Sequence, residues 1–250
     1  IGLCFLLYYL ARRRWRIVGV ALGGLALVAA FGLLRLELSH TPWLRNYLHD
    51  SHVLLETGIL ANFTAVNPTR FGLINLQLVL YPIVGNVRAA NGVAVTVGGF
   101  LLVMWLVGMR RTTDRADLEL LDLSAIAVVS LLPVYHRFYD AALLVLPLCW
   151  VFASFRKTRV LGTLTLLLML PFLIPGGTLL ETLQHSGRIP SPWASRWWWE
   201  TIVMPHQVWI LFFLSVLLLY EMNSCVAVPG RQSQPSLGVR REAADSAASG

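Results

Sequence analysis

The sequence predicts an all-α fold, a polytopic transmembrane helical bundle with a re-entrant or interfacial segment and two outer loops. Three observations carry that expectation. Hydrophobic residues make up 56% of the 250-residue chain and charged residues only 13%, with a mean hydropathy of +0.65, outside the range of soluble globular domains. The basic residues fall in short clusters that punctuate apolar runs. Several of those runs have the length of a bilayer crossing, about 20 residues.

The chain opens on Ile1 inside the apolar run IGLCFLLYYL, without an initiator methionine or the basic region of a signal peptide, and is read as the C-terminal part of a longer protein. Four basic clusters follow: RRRWR at 12–16, RRTTDR at 110–115, RKTR at 156–159, and the tail with Arg231, Arg240 and Arg241. Together they hold 13 of the 20 basic residues. Clusters flanking apolar runs set topology, so all four are expected to be cytoplasmic. The net charge of +7 is therefore a topological signal and not a nucleic-acid surface.

Two cytoplasmic clusters must be separated by an even number of crossings. Between residues 16 and 110, segments 17–36 and 91–109 are long enough to span. LINLQLVLYPIVGNV (73–87) is not: its 15 residues make roughly 22 Å of helix against a hydrocarbon core of about 30 Å, and it carries Asn75, Gln77 and Pro82. Parity and length agree that it enters and leaves on the outer side. Downstream, 118–135 goes out, 138–155 returns, 160–175 goes out and 207–222 returns. Residues 37–72 and 176–206 are then outer loops. Trp193, Trp197, Trp198, Trp199 and Trp209 crowd the second of them and the start of the last span, as in an interfacial aromatic belt. Residues 1–228 form the integral membrane domain, and 229–250 form a polar, basic, disordered cytoplasmic tail. Cys4, Cys149 and Cys225 have neither disulfide nor zinc spacing and read as packing residues.

The polar groups of chemical interest face outward. In LLPVYHRFYDAALLVLPLCW (131–150), Pro133 ends the outgoing helix and leaves His136, Arg137 and Asp140 at a tight outer turn. Asp140 falls in the first turn of the returning helix, where free N–H groups favour a carboxylate and also attract a phosphate, with Arg137 as a fork-shaped partner. The plainer alternative is an Arg137–Asp140 pair across one turn, with His136 and the tyrosines in the headgroup layer. The first outer loop adds His40, His49, Asp50, His52, Glu56, Asn62, Asn67 and Arg70. HDSH at 49–52 has spacing that a metal tolerates, but such side chains on a wet loop are usually solvated, and no metal is expected. Asn67 before Pro68 reads as a turn.

The order of the RRRWR turn, the loop through NPTRFGLINLQLVLYP and the segment VVSLLPVYHRFYDAALLVLP resembles the C-terminal half of glycosyltransferase family 87 membrane proteins. These are similar to polyprenol-phosphate-mannose-dependent mannosyltransferases of the C-type superfamily. The resemblance covers the chain to about residue 220, and the last segment carries it. It implies an integral membrane enzyme that moves a mannose-like hexose from a polyprenyl-phosphate donor to a lipid or glycan acceptor on the outer face. It also implies a catalytic carboxylate in an outer loop upstream of Ile1. The family more often has adjacent Ser and Pro with the histidine further along, whereas here Ser130 and Pro133 are separated and His136 follows three residues later.

The chemistry fits the outer face independently. Negative charge collecting on a leaving phosphate needs cations or N–H groups, which Arg137, His136 and Arg70 supply. Asp140 is expected to support the turn, and Asn75 and Gln77 to line a groove open to lipid. No cofactor is expected, and no phosphate-cradling glycine loop is present. The other classes compatible with the sequence are a lipid-linked sugar flippase or transporter and a structural subunit of an envelope assembly. A transporter would carry ionisable groups at mid-depth, and the apolar runs are almost free of them.

Overall fold

The computed structural model describes residues 2–39, 42–57, 62–67, 69–111, 116–133, 136–156 and 158–226. The α-helices among the described residues are α1 (Gly2–Ala11), α2 (Trp15–Leu38), α3 (Trp43–Thr57), α4 (Leu76–Val84), α5 (Val87–Arg111), α6 (Ala116–Ser130), α7 (Val145–Ser154), α8 (Arg159–Met169), α9 (Gly176–His185), α10 (Ser191–Ala194) and α11 (His206–Val226). Three helices are long and apolar enough to cross a membrane, α2, α5 and α11. A fourth candidate is the chain from Arg159 to His185, bent by 46° between Leu173 and Gly176. The predicted tail, 229–250, lies outside the described residues.

The core is built around α6, which packs on α5, α7 and α11. Ala125, Ile126, Ala127 and Val128 are fully buried, so α6 is enclosed on every side rather than amphipathic. The helix α2 is the opposite case: only 6% of its apolar window is buried, and Leu27, Val28 and Phe31 are exposed, as a helix suited to lipid would be. Helices α5 and α11 pack together. A Cβ on Gly108 of α5 would lie 3.2 Å from Met222 Cε of α11, so the glycine permits that approach.

The RRRWR cluster lies at this end. Arg12 pairs with the fully buried Asp122, whose carbonyl also accepts the Trp105 indole N–H at 2.9 Å. Arg14 grips Glu119 through two bonds of 2.7 and 2.8 Å, the bidentate geometry that an ammonium group lacks. RRRWR is thus also a clasp on α6, a role that cluster-and-run reasoning does not reveal.

The segment between the first outer loop and α5 is short, as expected. Asn75 caps α4 by accepting the Leu78 N–H at 3.1 Å, and Gly85, at φ 69°, ends it after nine residues. The following turn sends α5 back along α4. The polar stretch 37–72 contains α3. Two expectations are corrected. The 138–155 span is a seven-residue 3₁₀ stretch, Phe138–Leu144, followed by α7. Cys149 is exposed rather than packed, whereas Cys4 packs against the core; the Cys225 side chain lies outside the described residues.

Candidate functional site

The HRFYD turn is recessed. A Cβ on Gly98 would lie 2.6 Å from Pro133 Cβ, so the turn after α6 sits against α5 eleven residues in, roughly 16 Å from its N-terminal end. At that depth the backbone must be satisfied by protein, and the 73–77 segment supplies the partners. Leu73 and Arg137 form an antiparallel bridge, Ile74 N–H donates to the His136 carbonyl at 2.8 Å, and Leu76 N–H donates to Leu132 at 2.9 Å.

The side chains complete the knot. Asp140 Oδ2 accepts the Arg137 backbone N–H at 3.1 Å and lies 3.2 Å from His136 Nδ1, while His136 Nε2 lies 3.2 Å from the Ser130 carbonyl. His136 is 7% exposed, so it is a buried ring held between two acceptors. The recess follows from Pro133 packing on a glycine, a contact between segments 35 residues apart that local sequence does not encode. Asn75 caps α4, and Gln77 Nε2 donates to the Pro133 carbonyl at 2.9 Å; both are buried.

Arg70 stands elsewhere. Asn67, 1% exposed, organises the loop before it: its amide donates to the Asn62 carbonyl at 2.6 Å, and its Oδ1 accepts from the Thr69 N–H and hydroxyl at 3.0 Å, the turn expected there. This sets up the 3₁₀ turn Arg70–Gly72. The Arg70 guanidinium lies 4.6 Å from the centroid of the Phe71 ring, and its Nη2 is 3.4 Å from Glu200 Oε1. Glu200 belongs to a π-helical turn, Trp199–Val203, a distortion often found at functional sites.

Two glycines close the arrangement. A Cβ on Gly177 would lie 2.2 Å from the Phe71 carbonyl oxygen, and one on Gly176 would lie 2.4 Å from His206 Nε2. The bend before α9 can therefore press against both the Arg70 turn and the start of α11. Gln207 fixes it by donating to the Pro171 and Ile174 carbonyls at 2.8 and 3.0 Å.

Two cavities meet at Arg70, Phe71 and Glu200. One is apolar, about 70 Å³, and reaches Phe63, Leu78, Tyr81 and Pro82. The other is polar, about 190 Å³, and reaches Asn67, Glu181, Gln184 and His185. Glu181, Gln184 and His185 share one face of α9 by helical spacing. Burial pushes the Glu181 carboxyl up from its ordinary range, against the opposing pull of His185 and Arg70. The His185 Nδ1–H donates to the Glu181 carbonyl at 2.8 Å. Trp199, in the polar cavity's wall, is 7% exposed, and its indole N–H has no acceptor among the described residues.

Trp199 thus departs from the expected belt, whereas Trp193 and Trp197 are exposed at 58% and 73%. The sequence reading missed Glu181, His185 and Glu200; the only local signals were the i, i+4 spacing on α9 and a carboxylate ending a tryptophan run. On α3, His49 and Asp50 lie beside Arg45 and Asn46, and among the described residues no group of three or more His, Cys, Asp or Glu is placed to hold a metal ion. His40 and the side chains of His52 and Glu56 lie outside the described residues. Family models, curated proteins and solved structures yield no match to this chain.

Proposed function

We propose that this chain is a membrane glycosyltransferase of the family 87 type, moving a mannose-like hexose from a polyprenyl-phosphate donor to a lipid or glycan acceptor. The observation that carries the reading is the pair of cavities meeting at Arg70, one apolar and one lined by carboxylate, amide and imidazole groups. A prenyl phosphate sugar has that division: an apolar chain, an anion at the junction and a hydroxyl-rich head. Arg70 supplies the cation where charge gathers as the anomeric carbon–oxygen bond to phosphate breaks. Glu181 and His185 meet the sugar's hydroxyls.

In this reading the bundle is polytopic, with the basic end cytoplasmic and the Arg70 cleft outward, since the cleft draws on the upper part of α4 and the turns before α11, away from Arg110 and Arg111. His136 and Asp140 hold the recessed turn, and Arg137 acts through its backbone.

The test is release of polyprenyl phosphate from a labelled polyprenyl-phosphate-mannose donor by the full-length protein in liposomes. Arg70→Ala is expected to lower turnover by about a hundredfold, the usual worth of a charge that meets a developing anion, with folding retained. Arg137→Ala is expected to keep most activity per folded molecule. Equal turnover in Arg70→Ala and wild type would remove the cleft from the reaction.

One observation favours a flippase or transporter instead: the ionisable pair His136–Asp140 sits well below the end of α5. Translocation of labelled lipid without donor cleavage would support that reading.

A further inference from the structure

Arg70, Phe71 and Glu200 are common to both cavities, so the Arg70–Glu200 pair is the partition between them. A ligand with its chain in one cavity and its head in the other has to pass through this partition. We infer that Glu200 is a gating residue: it holds Arg70 in the absence of ligand and yields that cation to the phosphate of an amphiphilic phosphomonoester or phosphodiester, which merges the cavities into one site. This inference rests on the two-cavity reading above.

The geometry on each side of the pair supports displacement. Arg70 is positioned in advance, stacked on Phe71 with its side chain only 17% exposed, so a ligand pays little to order it. Glu200 is held loosely, by a single nitrogen–oxygen contact of 3.4 Å, and its side chain is 51% exposed, so water receives it readily when it leaves. Its backbone lies in the π-helical turn, and the neighbouring Trp199 buries an indole N–H with no acceptor among the described residues. That donor is an independent sign that the wall is built for an oxygen-bearing group.

The test measures equilibrium binding of radiolabelled farnesyl phosphate, with farnesol as the uncharged probe, to the full chain in nanodiscs. Glu200→Gln removes the competing charge, and Glu200→Asp withdraws it by one methylene. Both are expected to bind farnesyl phosphate roughly two- to fivefold more tightly than wild type, the worth of an exposed ion pair, with farnesol unchanged. Arg70→Ala weakens farnesyl phosphate binding, and in Arg70→Ala/Glu200→Gln the gain disappears, because Glu200 acts through Arg70. If both Glu200 variants bind at wild-type affinity or weaker while Arg70→Ala still loses affinity, the gate is overturned and the anion site stands. Tightening that is equal for farnesol, or that persists in the double variant, also overturns the gate. If Arg70→Ala binds farnesyl phosphate like wild type, the two-cavity reading fails along with it.

Discussion

Asp140 is the residue on which the recessed turn depends. One carboxylate oxygen serves the Arg137 backbone N–H and the His136 ring together. Asp140→Ala leaves both without that acceptor in a half-buried setting, which costs about 1–3 kcal/mol. His136→Ala removes the same ring contact from the other side, so the double variant is expected to be less destabilised than the sum of the singles; additive losses in denaturant melts would contradict the shared-oxygen knot. The sequence made Asp140's supporting role legible, since a carboxylate three residues into a helix start is favoured there. It did not reveal the depth, because depth follows from Pro133 meeting Gly98. Nor did it reveal the partner of Arg70: Glu200 lies 130 residues away, and no periodicity links them.

At the scale of elements, what was legible followed hydropathy and punctuation. Segment 73–87 was too short to cross, and Asn75 and Gly85 confine its helix to nine residues. Pro133 ended α6 close to the expected place. The bend before α9 was harder to see, since Pro175-Gly176-Gly177 reads locally as an ordinary loop and gains meaning only from the Phe71 carbonyl against it. Gly177→Ala is expected to cost about 1–3 kcal/mol, because a Cβ 2.2 Å from that oxygen forces backbone to move. The displaced backbone carries Arg70 with it, so donor turnover per folded molecule falls too. Gly92→Ala, whose Cβ meets nothing within 4 Å, serves as a control and is expected to be neutral or slightly stabilising in melts on the same preparations. Equal behaviour of the two would remove the bend from the architecture of the cleft.

For the whole molecule, the account rests on two ends with different chemistry. One gathers arginines and their carboxylate partners around α6; the other gathers the cleft. Single cysteines at Arg111 and Ser191, in a cysteine-free background, are expected to be reachable by an impermeant thiol reagent from the inside and the outside respectively, and the reverse pattern would invert the molecule. The claim that the Arg70 partition receives a prenyl phosphate is tested most directly by photolabelling the reconstituted protein with farnesyl phosphate carrying a diazirine in its second prenyl unit. The account predicts label in the peptides bearing Phe63, Leu78 and Tyr81, and its loss in Arg70→Ala. Label spread along the exposed faces of α2 and α5, unchanged by Arg70→Ala, would contradict it.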